Sequence, residues 1–140
     1  MKRSLLEKFL NEYLNIQNIP DNSINGIQVE GRNEIKKIAL SVTYSIDVAQ
    51  KAIENNADTI IVHHGVLWQS LKPIRSIFKK KIEILIKNNI NLFAYHLPLD
   101  IHPKIGNNIS VLKILGANKM EGFARYNGVD IGVIGVFKVG

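Results

Sequence analysis

The stretch DTIIVHHGVLW at residues 58–68 joins a short apolar run to two adjacent histidines. Its β-branched run IIV at 60–62, bounded by turn residues, predicts a fully buried strand of a parallel sheet. His63 and His64 then stand at the carboxyl end of that strand, where open α/β sheets collect their ligands. Neighbouring side chains on a strand point to opposite faces, but we expect this alternation to relax as the chain leaves the strand at Gly65. Both imidazoles could then reach one pocket and hold two different metal ions.

Strand-like and helical patterns alternate along the chain around this stretch. Strands that alternate with helices form right-handed crossovers, and these predict a mainly parallel sheet with flanking helices. Asn127-Gly128 between two strand-like runs is the strongest short-range signal for a β-hairpin. We therefore predict a three-layer α/β fold with a C-terminal hairpin, in a single domain over residues 1–140. The other predicted elements are a helix at 5–15 capped by Ser4, an extended segment at 27–29, a strand at 35–42, a helix at 46–55 capped by Ser45, a helix at 74–87 opened by Pro73, a strand at 90–95, and a helix capped by Asn107 or Asn108 that runs to Leu115.

The composition narrows the class of protein. The 140 residues contain no cysteine, which excludes disulfides, thiolate metal sites and cysteine nucleophiles. No apolar run approaches the roughly 20 residues that span a membrane, and the N-terminus lacks the apolar core of a signal peptide. We therefore expect a cytoplasmic protein without a membrane partner.

The formal net charge is +6, and part of the excess lies on or beside one predicted helix. A solvated helix face is the favoured interpretation of these cations, and a phosphate-binding surface is the alternative. Nucleic acid is not favoured as a partner, because no stacking aromatic residues are interleaved with the charges. The basic residues concerned are Lys72, Arg75, Lys79, Lys80, Lys81 and Lys87.

Histidines end two of the three predicted parallel strands. His63 and His64 follow one strand, His96 follows the next, and Asp100 comes shortly afterwards on the same side of the sheet. Neutral imidazole and carboxylate are ligands that suit zinc, iron or manganese. A lone histidine is more often structural than a ligand, so the prediction of a metal site depends on the coincidence of these four residues.

Other polar residues are candidates for the surroundings of this site. The loop DNSINGIQVEG at 21–31 could line a pocket, although its composition alone favours a plain surface loop. Asn25 and Gln28 are the candidates retained from it. His102, near Asp100, is either a further pocket residue or a loop histidine. The polar residues of the loop are Asp21, Asn22, Asn25 and Gln28.

Motifs for other chemistries are missing from the sequence. No serine stands in a nucleophile elbow, and neither a P-loop nor a dinucleotide fingerprint is present. Two neighbouring carboxylates of the kind that hydrolyse glycosides are not evident.

At these residues the sequence resembles the Nif-three-like dinuclear-metal proteins, the YbgI-like group often labelled GTP cyclohydrolase 1 type 2. Four segments match in the family's order: DNSINGIQVEG at 21–31, DTIIVHHGVLW at 58–68, AYHLPLD at 94–100 and HPKIGNN at 102–108. The resemblance covers nearly the whole chain but only the N-terminal half of a typical family member.

The resemblance implies a toroidal homohexamer with a site for two divalent metal ions. It implies direct ligation by His63, His64 and Asp100, with His96 lining the site. The family draws a further histidine and a glutamate from a C-terminal segment that is absent here. We therefore expect an incomplete site in this polypeptide, which is either a fragment or one of two separate chains.

The function implied by the resemblance is a metal-dependent hydrolase that opens the purine ring of GTP, so a nucleotide is the expected ligand. A two-metal site can make hydroxide from water and stabilise the oxygens of a transition state. The alternative is a non-enzymatic protein that handles or delivers metal, or a scaffold for partners. A substrate pocket with a general base beside the metals would favour the enzyme, and ligands open to solvent would favour metal handling.

Overall fold

The computed structural model describes residues 1–70 and 72–138. Its main sheet has four strands in the order β1-β4-β3-β2, and a separate sheet has two strands, β5 and β6. The strands are β1 (Gly26–Val29), β2 (Ile38–Thr43), β3 (Thr59–His64), β4 (Asn91–Ala94), β5 (Lys119–Tyr126) and β6 (Val129–Val136). The helices are α1 (Arg3–Tyr13), α2 (Ile46–Glu54), α3 (Ser76–Asn88), α4 (Leu97–Asp100) and α5 (Asn107–Ile114), with a 3-10 turn at Ile16–Asn18.

The three central strands run parallel, as the alternation of elements predicts. β2 pairs with β3 through Ser41 and Val62, and β3 pairs with β4 through Val62 and Ala94. The extended segment predicted at 27–29 becomes β1, which joins the far side of β4 in the antiparallel sense. The sheet is therefore mainly parallel with one antiparallel edge strand, and its parallel strands end on one side of the molecule.

Alternate residues of β4 face two separate cores, because successive side chains on a strand point to opposite faces. Leu92 and Ala94 belong to a buried cluster with residues of α2 and α3. Phe93 and Tyr95 belong to a second cluster with residues of α1. Helices thus pack on both faces of the sheet, which confirms the three-layer α/β architecture. The helical members of these clusters include Ala49 and Ala52 of α2, Leu85 of α3 and Leu6 of α1.

Helix starts differ from the sequence expectations in three places. α1 begins at Arg3 rather than after Ser4, with Lys2 as an extended N-cap residue and no side-chain cap. Lys2 is held there by a β-bridge to Glu34, so a tertiary contact decides where the helix begins. The N-cap of α5 is Gly106, not an asparagine. α3 begins at Ser76, two residues later than expected, after the extended residue Arg75.

Two local predictions, a helix cap and a hairpin turn, are confirmed. Ser45 caps α2, since its side chain accepts a hydrogen bond from the Val48 amide. Asn127 and Gly128 have φ angles of 45° and 91° and form the two-residue turn between β5 and β6. The hairpin packs on α5, where the Asn108 side chain donates to the carbonyl of Ile131. Within the described part of the chain, the helices are all too short or too polar to cross a membrane.

Candidate metal centre

Three imidazole rings meet at the carboxyl end of the parallel strands. The ring centroids of His63 and His64 lie 4.4 Å apart, and that of His96 lies 4.9 Å from His63 and 5.7 Å from His64. Each ring offers one nitrogen to a group whose atoms all lie within 4.8 Å of one another. Ligand atoms of a tetrahedral zinc ion are separated by roughly 3.5 Å, so small side-chain rotations would bring them to binding distance. This half-buried cluster could hold a metal ion.

The two adjacent histidines converge although both belong to β3, which continues through His64. The reason lies in the neighbouring strand. β4 makes its last pair at Ala94, opposite Val62, and the chain then turns away into α4. His63 and His64 therefore extend past β4, and both rings can turn over its end toward His96. The strand ends at His64 and the chain leaves it at Gly65, as the sequence predicts, and the free end of β4 lets both rings reach one group.

His63 is fixed by a backbone acceptor. Its Nδ1 lies 3.0 Å from the carbonyl oxygen of Tyr95, which can only accept, so Nδ1 carries the proton. In a neutral ring Nε2 is then unprotonated, and it faces the Asp100 carboxylate, whose Oδ2 is 3.4 Å away. Two acceptors that face each other repel unless a proton or a metal ion lies between them. The chemistry of this pair therefore fits a bound cation.

Asp100 is placed by α4, a short helix that the sequence did not predict. Its other oxygen, Oδ1, accepts a hydrogen bond of 2.8 Å from the Asn107 side chain at the start of α5. The side chain is 23% exposed, so it can exchange water for a cation. Asp100 therefore contacts the cluster at His63, and it is not a member of the group formed by the three histidines.

His64 lies on the β2 side of the cluster. Its Nδ1 is 3.0 Å from the hydroxyl of Thr43, the residue with which it pairs across the sheet. Burial lowers the pKa of His64 below its usual value, and the imidazoles of His63 and His96 lower it further. The Asp100 carboxylate acts in the opposite direction. A lowered pKa keeps this imidazole neutral, as metal coordination requires.

His96 is bound by the loop that precedes β1. Its Nδ1 lies 2.9 Å from Oδ1 of Asp21, and its backbone amide donates to the Asn25 side chain at 2.7 Å. Burial raises the pKa of Asp21, but hydrogen bonds from four donors outweigh this effect and hold the pKa below its usual range. Those donors are the Ser23 amide, the Asn25 side chain, His96 and the Leu97 amide.

The two loop residues singled out from the sequence lie behind the cluster. Asn25 connects Asp21 to the backbone of His96. Gln28 binds the segment after the histidines, because its Oε1 accepts from the amides of Val66 and Leu67. The side-chain oxygens of both residues are thus engaged by backbone amides. The loop is thus a support for the site rather than the plain surface loop that its composition favours.

Asp21 is the residue that sequence reasoning missed. It was one of four polar residues in the loop, and its contact with His96 joins positions 75 residues apart. The available signal was its place at the head of the segment DNSINGIQVEG, which carries part of the family resemblance.

The structure does not bring His102 to the cluster. Its Nε2 donates to the carbonyl of Tyr13, its Nδ1 accepts from the amides of Lys104 and Ile105, and its ring stacks on Tyr13 with centroids 4.7 Å apart. Both ring nitrogens are therefore used by the backbone. Of the two interpretations of His102, a further pocket residue or a loop histidine, these contacts favour the second: it is a buried histidine that joins α1 to the segment after α4.

A cavity of about 480 Å³ adjoins the cluster between α1 and β2, and His63 forms part of its wall. Most of the lining is apolar, and Ser41 and Asn107 are among its few polar residues. No lysine or arginine occurs among the described residues that line it. The cavity suits an apolar group next to the histidine cluster more than a row of phosphates.

Comparisons with known proteins show the family of this chain. Residues 1–139 match the family model Duf34/NIF3 (NGG1p interacting factor 3). A relative from Pyrococcus abyssi, named GTP cyclohydrolase 1 type 2 homolog, is 43% identical over 138 residues, which are 99% of this chain and 55% of the relative. The chain spans about half the length of the curated relatives that it matches.

Two solved structures share the fold. One, described as protein ybgI of unknown function, has a TM-score of 0.82 and 41% identity over 87% of this chain and 49% of its own. The other, TTHA1606 from Thermus thermophilus, has a TM-score of 0.84 and 39% identity over 93% of this chain and 53% of its own. Because the family model matches residues 1–139, nearly the whole chain, this chain belongs to the Duf34/NIF3 family.

Proposed function

We propose that this chain binds divalent metal ions through His63, His64, His96 and Asp100. The observation that carries the proposal is the approach of His63 Nε2 to Asp100 Oδ2 at 3.4 Å, two acceptors when the ring is neutral, beside two further imidazoles. A cation between these groups would turn their repulsion into attraction. Imidazole and carboxylate suit zinc, iron or manganese, and the absence of thiolate from the sequence disfavours softer ions.

We further propose that the site holds two metal ions. Four side chains supply at most part of two coordination shells, so water must supply much of the rest in this chain. Bound water is the reactant of a hydrolytic centre, because a metal ion lowers its pKa and stabilises the charge that develops on oxygen. In this arrangement the histidines and Asp100 would hold the ions, and Asn107 fixes the other oxygen of Asp100, Oδ1, by a hydrogen bond.

The reaction that we propose is hydrolysis of a nucleotide. Support comes from the curated relatives, which are named GTP cyclohydrolase 1 type 2 homolog. By this proposal the chain contributes to hydrolytic opening of a purine ring, with the cavity beside His63 next to the reacting group.

Two observations favour a second function, non-enzymatic metal handling. The cavity at the cluster is lined mainly by apolar groups, without a lysine or arginine among the described lining residues to bind phosphates. In addition, the Asp100 carboxylate beside His63 is itself a candidate ligand and is not free to act as a general base.

A single set of measurements separates the two functions. The chain is loaded with zinc, iron or manganese and incubated with GTP, and the loss of purine absorbance is followed. An enzyme should consume GTP, and both chelation and the His64→Ala substitution should abolish the reaction. The matched control is His102→Ala, which removes a histidine outside the cluster. Metal binding without any consumption of GTP would favour metal handling, and a chain that binds no metal would contradict both functions.

We also propose that the chain forms a homo-oligomer in the cytoplasm, with a hexamer as the expected state by family resemblance. The exposed apolar residues of the hairpin and α5 support association, among them Phe123, Ile134 and Ile114. Light scattering at micromolar concentration tests this proposal, and a stable monomer would contradict it. The lack of cysteine is in keeping with a reducing compartment.

A further inference from the structure

The Asp21 carboxylate is buried behind the histidine cluster, and both of its oxygens accept hydrogen bonds. Its side chain is 3% exposed. Oδ1 accepts from the Ser23 amide at 2.9 Å, and Oδ2 accepts from the Asn25 side chain and the Leu97 amide, both at 2.9 Å. An ionised carboxylate is tolerated at such a position only when its oxygens are satisfied by donors. The surroundings of Asp21 therefore favour its charged form, which can only accept hydrogen bonds.

The Asp21 carboxylate determines which nitrogen of the His96 ring carries the proton. The imidazole Nδ1 lies 2.9 Å and 3.2 Å from the two oxygens of Asp21, so Nδ1 must donate. In a neutral ring the other nitrogen, Nε2, is then unprotonated and is the one left for the cluster. The backbone amide of His96 is held as well, through the Asn25 side chain. The loop before β1 thus fixes both the main chain and the ring of His96.

We propose that Asp21 is the positioning residue of the metal centre. By accepting a hydrogen bond from Nδ1 of His96, Asp21 presents the Nε2 lone pair to the ion and makes His96 a direct ligand. A carboxylate that accepts from the far nitrogen of a ligating histidine fixes its tautomer and raises its basicity, and loss of such a partner lowers metal affinity by about 10–100-fold. The inference rests on the metal-binding function proposed above. Its first test, however, needs no metal.

The first experiment measures the tautomer of His96 in the unmodified, metal-free chain. Nitrogen-15 NMR distinguishes a protonated Nδ1 from a protonated Nε2, and the chain has only four histidines to assign. At a pH where the ring is neutral, we expect the proton of His96 on Nδ1, although a free imidazole side chain favours Nε2. A His96 ring protonated on Nε2 would overturn the proposal, whatever the metal affinity of the chain.

The second experiment uses Asp21→Asn, which keeps the shape of the side chain and removes its charge. We expect the Nδ1–H tautomer of His96 to lose its dominance and zinc affinity, measured by competition with a chromogenic chelator, to fall by about 10–100-fold. The matched control is Asp47→Asn, which removes an exposed carboxylate paired with Lys51 on α2 and should leave both readouts unchanged.

The outcomes separate this inference from the proposed function. A folded Asp21→Asn chain with unchanged tautomer and unchanged zinc affinity would overturn the role of Asp21. If the variant does not fold, the tautomer in the unmodified chain still decides. If the unmodified chain has the expected tautomer but binds no zinc, iron or manganese, the metal-binding function fails while the control of His96 by Asp21 stands.

Discussion

Gln28 fills the space that a side chain at Gly65 would need. A Cβ atom on Gly65 would overlap the Oε1 atom of Gln28 and lie 2.7 Å from the Cβ of Ala94. That same Oε1 accepts hydrogen bonds from the amides of Val66 and Leu67, at 2.7 Å and 3.0 Å. Glycine follows the two histidines because the support loop packs against the backbone there, and not because a turn demands a positive φ angle.

The substitution Gly65→Ala should therefore destabilise the chain by about 1–3 kcal/mol, as overpacking of a filled site does. The added methyl group must displace Gln28 and with it two hydrogen bonds to the segment after the histidines. Urea unfolding measures the change in free energy. The double variant with Gln28→Ala tests the cause, because the cost of Gly65→Ala should shrink once the amide is gone. Equal costs in both backgrounds would show that Gln28 is not the obstacle.

Single alanine substitutions at His64, His96 and Asp100 should each lower the metal content of the chain and leave its fold intact. None of the three side chains fills one of the two apolar cores. Elemental analysis after exhaustive purification measures occupancy, and circular dichroism reports on the fold. Full occupancy in all three variants would contradict the assignment and leave these histidines as polar groups at a strand end.

His102→Ala is the matched histidine control for that series, and its expected effect is the reverse. It should keep the metal content and lose stability by about 1–3 kcal/mol, because three partly buried backbone groups lose their hydrogen-bond partners. Thermal unfolding measures the loss. A fall in metal content without loss of stability would place His102 in the site after all.

The metal-free chain should become less stable as the pH falls through 6.5, the ordinary pKa of histidine. The pKa of His64 is lowered in the folded state, chiefly by burial, so the unfolded state binds its proton first. The contribution of His64 is thus fully present above pH 6.5 and is lost below it. Urea titrations in the presence of a chelator measure this slope, and His64→Ala should reduce it. An unchanged slope in that variant would assign the effect to another group.

The fold follows from short-range patterns, whereas part of the site depends on contacts that no local pattern contains. The apolar run at 60–62 and the turn at Asn127-Gly128 are strong signals within a few residues, and both elements form where they were predicted. α4 was missed because its four residues, LPLD, are too short to show a helical period.

His102 and Asp21 show why the rest of the site could not be predicted. His102 and Asp100 stand two residues apart, yet only the contact of His102 with Tyr13 in α1 shows that its role is structural. Asp21 gains its role from His96, which lies far along the chain, and without that contact it is an ordinary loop acid. The role of a histidine or an aspartate therefore depends on which residues, distant in the sequence, it contacts in the folded chain.

Alkaline pH should unfold the chain in a transition to which Tyr95 contributes. Its hydroxyl donates to the Asn11 side chain at 2.9 Å, and burial, with a smaller effect of Glu7, raises its pKa well above the ordinary value of 10. Because the folded state holds the proton more tightly, the stability from Tyr95 is fully present below pH 10 and is lost as the pH rises further. Phenolate absorbance should therefore appear together with the loss of circular dichroism. In Tyr95→Phe the phenolate absorbance and the loss of circular dichroism should no longer change together. Tyr126→Phe in the hairpin serves as the control. If the phenolate of Tyr95 forms while the circular dichroism is unchanged, the ring is not held in the core as described.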